Sequence, residues 1–517
     1  MTTTTSTTTT LSSTDNQALG IGQFAIDFMS RAIGDPDPEV LDHVTRFFTD
    51  SVLCGASALA LATNAPSVLR EEALSYPDPG GVPFIGSTTL VAPEKAILAT
   101  CAAVREWDSN GTNFGFNPDL GHTAGEFGHN DFYAVPIAAA QRSGQDGAAA
   151  VRGMLLLDEV RGRLAEVFSL KTYKIDHVVH GAIASAAVYG AMLGATAQEI
   201  ESAIGMSVAH FIPWRAIRAG SQLSDSKGAS AAISTEVAIT AMHRAMRGFV
   251  GPQDIFRNPE AIWRQCEPTD GRSPFDLVLS HSGSDFAVMG MHFKIGLYEH
   301  QSAGALQGVI DLIRDHPELL SSIDEIGSIK IIAYEPAFGI IGDPAKKDPR
   351  TRQSADHSMA FIVSRVFKKA IDAYAHNGDF LADNDSAWKT LMLSPYDYSK
   401  EALFDEPTRR LMALITFDHG GQEYDRRYPD GIPTSVVIST KSGDRYESGL
   451  VMYPSGHARN STCDLDTLLA AKFKMHGEIA MENPNKVIDR LNSTATMDAE
   501  ALGLIWDFPI RQLDSID

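Results

Sequence analysis

The 517-residue chain is poor in cysteine, with four in all, and Cys54, Cys101, Cys266 and Cys463 stand far apart. No two have the spacing of a zinc knuckle or a cluster-binding run, and such sparse usage fits a reducing compartment. Basic residues are in deficit: 43 Lys and Arg against 65 Asp and Glu leave a formal charge of −22. A field of that sign argues against nucleic acid or an anionic membrane as partner, and a polyanionic substrate would need a local basic pocket. Uninterrupted apolar runs are missing. The stretch 180–197 is broken by Ser, Tyr and Gly and built mainly from Ala, which suits a tightly packed helix better than a membrane span. A P-loop, a G-x-G-x-x-G after a strand, a G-x-S-x-G elbow and an H-E-x-x-H pair are all lacking. The opening "MTTTTSTTTTLSSTDNQ" has neither a basic residue nor an apolar core, so it reads as no targeting peptide. Residues 1–17 are expected to be a disordered Thr/Ser-rich tail, and a cytoplasmic location is the default expectation.

What is present is a 44% hydrophobic chain, enough for a large core or more than one domain. Residues 18–285 read as helical. "IGQFAIDFMSRAIG" and "GASAAISTEVAITAMHRAMRG" place apolar residues at helical spacing and each closes on a glycine suited to a C-cap. "TAQE" at 196–199 has the capping-box pattern, so one helix should end near Gly194 and another start at once. Over 286–454 the texture changes. "IGSIKIIAYEP" and "TSVVISTKSGDRYESGLVMYP" are β-branched, the second with Ser442-Gly443 as a hairpin turn, and helical segments such as "AGALQGVIDLI" alternate with them. Residues 455–517 return to helix. The expected class is mainly α: a large all-helical domain plus a smaller α+β domain.

Candidate chemistry lies in scattered polar stretches. "YKIDHVVHGAIASAAVYGAMLG" holds His177 and His180, which at i and i+3 share one helix face and could look into one cavity, unless they only cap the helix. "REWDSNGTNFGF" offers Asp108 and Thr112 to orient a histidine or a substrate hydroxyl, or it is an ordinary helix-ending turn. His122 and His129 each follow a glycine, where backbone can approach a ligand closely. Arg215, Arg218 and Lys227 form a cationic cluster beside Gly220 and Gly228, suited to an anion or equally to solvent. Lys294, Glu299 and His300 stand at the presumed domain boundary, where small-molecule clefts tend to lie. Asp356 and His357 read as a helix start with a plain N-cap.

Taken in order, these stretches resemble the MmgE/PrpD family. "REWDSNGT" is similar to its R-E-x-D-x-x-D-T element, "GHND" to H-P-x-D-N, "RAIRAGSQLSDSKGASA" to R-x-x-R-x-G followed by W-K-A, "FKIGLYEHQS" to K-x-x-x-x-E-x-H/Q-S-Q and "SADHSMAFIV" to D-H-S-x-x-Y. Gly111 replaces the usual acidic residue, Asn130 the usual proline and Ser226 the usual tryptophan; the longer loop from Thr112 leaves His122 competing with His129. The resemblance implies an α+β lid over a helical domain completed by the C-terminal helices, a homodimer, and no cofactor or metal. It implies dehydration of a 2-methylcitrate-like tricarboxylate, with decarboxylation of cis-aconitate, epimerisation of a polycarboxylate, or carboxylate binding without catalysis as alternatives. Such an elimination needs a base, an acid and cations for the developing carboxylate charge. On this reading His177 or His180, with His129 opposite, moves the protons. Asp108 orients a histidine. Arg215, Lys227 and Lys294 clamp carboxylates, and Thr112, Arg218, His300 and His122 complete the pocket.

Overall fold

The computed structural model describes residues 6–220 and 222–517. The chain is mainly α-helical. Nine helices make the N-terminal half: α1 Gln17–Met29, α2 Pro38–Ala60, α3 Asn64–Leu74, α4 Pro93–Glu106, α5 Ala134–Ser143, α6 Gly147–Val167, α7 Val178–Met192, α8 Ala197–His210 and α9 Ser226–Ala245. Their centre is α9, packed against α4 on one side and α7 on another, with α2, α6 and α8 outside them. Small residues allow the close approach. Ala96, Ala99, Ala102 and Ala103 on α4 and Ala229, Ala231 and Ala232 on α9 are all buried. A Cβ on Gly181 of α7 would lie 2.1 Å from the Phe132 ring. Apart from Ala191, every residue of α7 is buried, so it is apolar all round, as a core helix must be.

The predicted Thr196–Glu199 capping box is present in full. The glycine C-caps are not. α1 ends at Ser30, whose N–H already returns to the Ile26 carbonyl, and α9 ends at Met246, leaving Gly34 and Gly248 a few residues beyond. The expected disorder of residues 1–17 is also corrected where the chain is described; residues 1–5 lie outside the described residues. β1 Thr8–Leu11 pairs antiparallel with β5 Leu277–Ser280, from Thr8↔Ser280 to Leu11↔Leu277, and Gln17 donates to the Leu11 and Phe275 carbonyls. Thr is a good strand former, and a neighbouring edge gave this segment its ladder.

Three further strands belong to the helical half: β2 Pro77–Val82 against α4 and α5, and the short ribbon β3 Thr112–Phe114 with β4 Phe127–His129. The later part of the chain builds a four-stranded mixed sheet in the order β7-β6-β8-β9, from β6 Ile326–Ala333, β7 Ile415–His419, β8 Thr434–Thr440 and β9 Arg445–Glu447. β6 runs parallel to β7 and antiparallel to β8, and Gly443 turns β8 into β9 with φ of 101°. The helix Ala303–Asp315 covers β8, and the helix Leu465–Ala480 packs back on α2. No single described helix is long and apolar enough to cross a membrane.

Candidate active site

α4 ends at Trp107, and the chain then turns inward, burying Asp108, Ser109 and Asn110. This turn is held from the C-terminal end of the chain. Lys472 Nζ donates to the Ser109 carbonyl at 2.5 Å and pairs with Asp50 at 2.7 Å, and His476 Nε2 lies 3.1 Å from Ser109 Oγ. β3 follows, and its register sets Thr112 opposite His129. His177 stands immediately before α7, and the bridge between Ile175 and Trp214 brings the turn Arg215–Arg218 beside it. Lys227 lies in the first turn of α9. From the far side come Lys294, the turn Glu299–His300–Gln301, and Asp356–His357 between two helices.

These elements enclose a narrow cavity of about 40 Å³. Arg105, Asp108, Thr112, His129, His177, Arg215, Arg218, Glu299, His300 and His357 line it, together with Ile340 and Lys346 from the sheet side. Nine of the candidate residues therefore meet: the seven given a role in the pocket, together with Glu299 and His357. Lys227 and Lys294 stand just behind, each against a carboxylate: Lys227 Nζ is 2.7 Å and 2.9 Å from the two oxygens of Asp356, and Lys294 is bonded to Asp108. His180 turns away, its Nε2 donating to the Phe168 carbonyl at 3.1 Å, so the pair at i and i+3 does not share the cavity. The reason is local: His177 is the N-cap and lies outside the helical repeat, next to Asp176. His122 also lies elsewhere, 3.0 Å from Glu166. Asp356 is no N-cap. It ends the turn Arg352–Ala355, and Ser358 caps the helix Met359–His376. Sequence reading missed Arg105, Ile340 and Lys346 as lining residues; two lysines framed by prolines in "DPAKKDP" were the available signal.

The electrostatics divide the cations in two. Burial disfavours ionisation of Asp108, but Arg105, Lys294, His357 and Lys227 outweigh it and hold the carboxyl well below its usual range. Arg218 is spent on Asp176, with Nε to Oδ2 at 2.6 Å. Arg215 and Lys346, by contrast, make no side-chain hydrogen bond or ion pair among the described residues while lining the cavity. Burial pulls His129 and His177 well below the usual imidazole range, so both are neutral near pH 7. Among the described residues, neither ring nitrogen of His177 has a hydrogen-bond partner, and neither does Nδ1 of His129. Burial, aided by the charge of Asp108, pushes the Glu299 carboxyl up to about 7. Asp108, Asp356 and His357 converge closely enough to suggest a metal site, but both carboxylates already hold an ammonium group.

Such a cavity, with unpaired cations beside neutral imidazoles, suits proton transfer on a small polyanion. Residues 23–272 match the MmgE/PrpD N-terminal domain. A 2-methylcitrate dehydratase of Escherichia coli is 23% identical over 80% of this chain and 80% of its own. The mitochondrial 2-methylcitrate dehydratase of Yarrowia lipolytica is 24% identical over 83% and 78%, and a fungal alkylcitrate dehydratase is 22% identical over 88% and 87%. With that domain in its first half and relatives aligned along four-fifths of its length, the chain carries an MmgE/PrpD N-terminal domain and is similar to dehydratases of that family.

Proposed function

We propose that this protein is a hydro-lyase that removes water from a 2-methylcitrate-like tricarboxylate. One observation carries the reading: two cations without partners, Arg215 and Lys346, share a cavity with the imidazoles of His129 and His177. Carboxylates of the substrate supply the missing partners. Removing a proton from the carbon beside a carboxylate moves charge onto that carboxylate, so a cation held there stabilises the transition state more than the ground state. His177 is the base, because both its nitrogens are without hydrogen-bond partners and burial keeps it neutral. His129 is the acid. Its Nε2 accepts from Arg105 at 3.4 Å, so the ring proton resides on the unpartnered Nδ1, which gives it to the leaving hydroxyl. A bound trianion raises the basicity of both rings as it arrives.

The segment Ala337–Lys346, which brings Ile340 and Lys346, lines the cavity from the sheet side, beside the turn Glu299–Gln301 and His357.

The test is an ultraviolet assay of the purified protein on 2-methylcitrate, citrate and cis-aconitate, with products identified by mass spectrometry. Growth of alkene absorbance and loss of one water from 2-methylcitrate is expected, unchanged after chelation because side chains supply the proton transfer. Carbon dioxide from cis-aconitate would make the protein a decarboxylase, and tricarboxylate binding with no turnover would make it a carboxylate binder.

A further inference from the structure

Beside the catalytic cavity lies a second one of about 290 Å³, lined by Phe116, Phe286, Met289, His292 and His457 among others. Its rim residues Pro118, Asp119, Ser284, Asp285, Ala458 and Arg459 are exposed, so this chamber opens to solvent. Phe114 lines both spaces. The rest of the shared wall is a pair of histidines. His300 faces the catalytic cavity and His292 the open chamber, with His300 Nε2 and His292 Nδ1 3.0 Å apart between them.

The pair is built, not incidental. His292 N–H donates to the Thr112 carbonyl at 2.6 Å and Thr112 N–H donates back to the His292 carbonyl at 3.0 Å, which ties His292 to the strand that positions His129. On its open side His292 packs against His457, with ring centroids 3.9 Å apart and the rings tilted by 55°. The inner nitrogen, His300 Nδ1, is buried without a partner. The cavity of about 40 Å³ holds only a few waters, and the histidine pair offers protons a direct path across the wall it shares with the chamber.

Resting on the dehydratase reading, we propose that His300 and His292 form a proton relay between the narrow catalytic cavity and the wider solvent-open chamber. The elimination itself balances: the C–H electron pair becomes the alkene bond, the C–O pair leaves with oxygen, and the proton from His129 completes the water. It nevertheless leaves His177 as an imidazolium and His129 as an imidazolate, whose charge is met by Arg105, 3.4 Å from Nε2. The relay resets both. Inward, chamber water protonates His292 Nε2, the His292 Nδ1 proton passes to His300 Nε2, and the His300 Nδ1 proton enters the cavity for His129. Outward, the proton on His177 returns through His300 Nδ1, crosses from His300 Nε2 to His292 Nδ1, and leaves from His292 Nε2. One inward and one outward transfer restore both tautomers. Burial holds both rings well below the usual imidazole range, so an extra proton is passed on and not stored.

The test uses His292→Ala and His292→Phe, assayed on whichever of 2-methylcitrate, citrate or cis-aconitate the wild type turns over. Both should lose kcat by about ten- to a hundredfold with KM nearly unchanged, in line with loss of a proton-transfer group. Imidazole added to the buffer should restore His292→Ala through the open chamber, and 4-methylimidazole, the stronger base, should restore it to a different extent. His292→Phe fills the gap, keeps the ring contact with His457 and should not respond. An active wild type with variants of undiminished kcat, or with a folded His292→Ala that no imidazole restores, would overturn the relay alone. A wild type inactive on all three acids would overturn the dehydratase reading and the relay with it.

Discussion

Glu299→Gln tests whether a carboxyl in the cavity wall is held partly protonated at neutral pH. Its pKa is raised from 4.5 to about 7, first by burial and then by the charge of Asp108. The folded state therefore binds a proton that the unfolded state has released, over the window between those two values. Stability must fall as pH rises through that window, because the folded chain pays to ionise Glu299 and the unfolded chain does not. At about 1.36 kcal/mol per unit, the shift corresponds to at most roughly 3 kcal/mol, and since the side chain is partly exposed we expect about 1–2 kcal/mol. Gln keeps a carbonyl oxygen to accept the Gln301 N–H, seen at 2.9 Å, and cannot ionise. The assay is urea unfolding of both proteins at intervals from pH 4.5 to 8. Their difference should be small at the acid end and grow to favour Glu299→Gln above pH 7, while other buried carboxyls cancel in the comparison. A difference that stays flat with pH, or grows toward acid, would refute the reasoning.

Arg215→Gln and Lys346→Gln should each raise KM for the tricarboxylate at least about tenfold, because each removes a cavity-lining charge that no side chain among the described residues pairs; steady-state kinetics will show it, and unchanged KM in both would remove them from the clamp. His177→Ala and His129→Ala should each lower kcat by about a hundredfold or more, whereas His180→Ala should keep kcat and lose stability, since His180 serves the Phe168 carbonyl. Lys227→Met leaves Asp356 as a buried charge without its ammonium, so unfolding free energy should fall by about 3–5 kcal/mol. The double variant with Asp356→Asn should recover part of that loss, read by urea unfolding.

Helical periodicity, the capping box and the β-branched runs made the architecture legible, because each is a local property repeated along the chain. The site was legible only in part. Asp108, Thr112, His129, Arg215 and Arg218 come from motif-bearing turns and do meet in the cavity. His180 failed because the i,i+3 rule assumes that both residues are inside the helix, and His177 is its cap. The tail at Thr8–Leu11 failed because its partner strand lies more than 260 residues away. Lys346 and Ile340 belong to irregular backbone with no periodic signature, and the perturbed Glu299 owes its shift to burial and to an aspartate in another part of the chain.

The same distance explains why counting cations in sequence could not name the clamp. Six basic side chains converge around the cavity, and the motif order gives Lys227 and Lys294 the same standing as Arg215. Each buried carboxylate then removes a candidate. Asp356 takes Lys227, Asp108 takes Lys294 and draws on Arg105, and Asp176 takes Arg218. What remains for a ligand is the difference, Arg215 and Lys346, one from each side of the cavity. Paired lysines still matter, since they keep Asp108 and Asp356 ionised and hydrogen-bonded where an unpaired carboxylate would repel a polyanion. A chain carrying 22 excess negative charges can thus take up a trianion by cancelling its own charge locally and leaving a small, placed surplus.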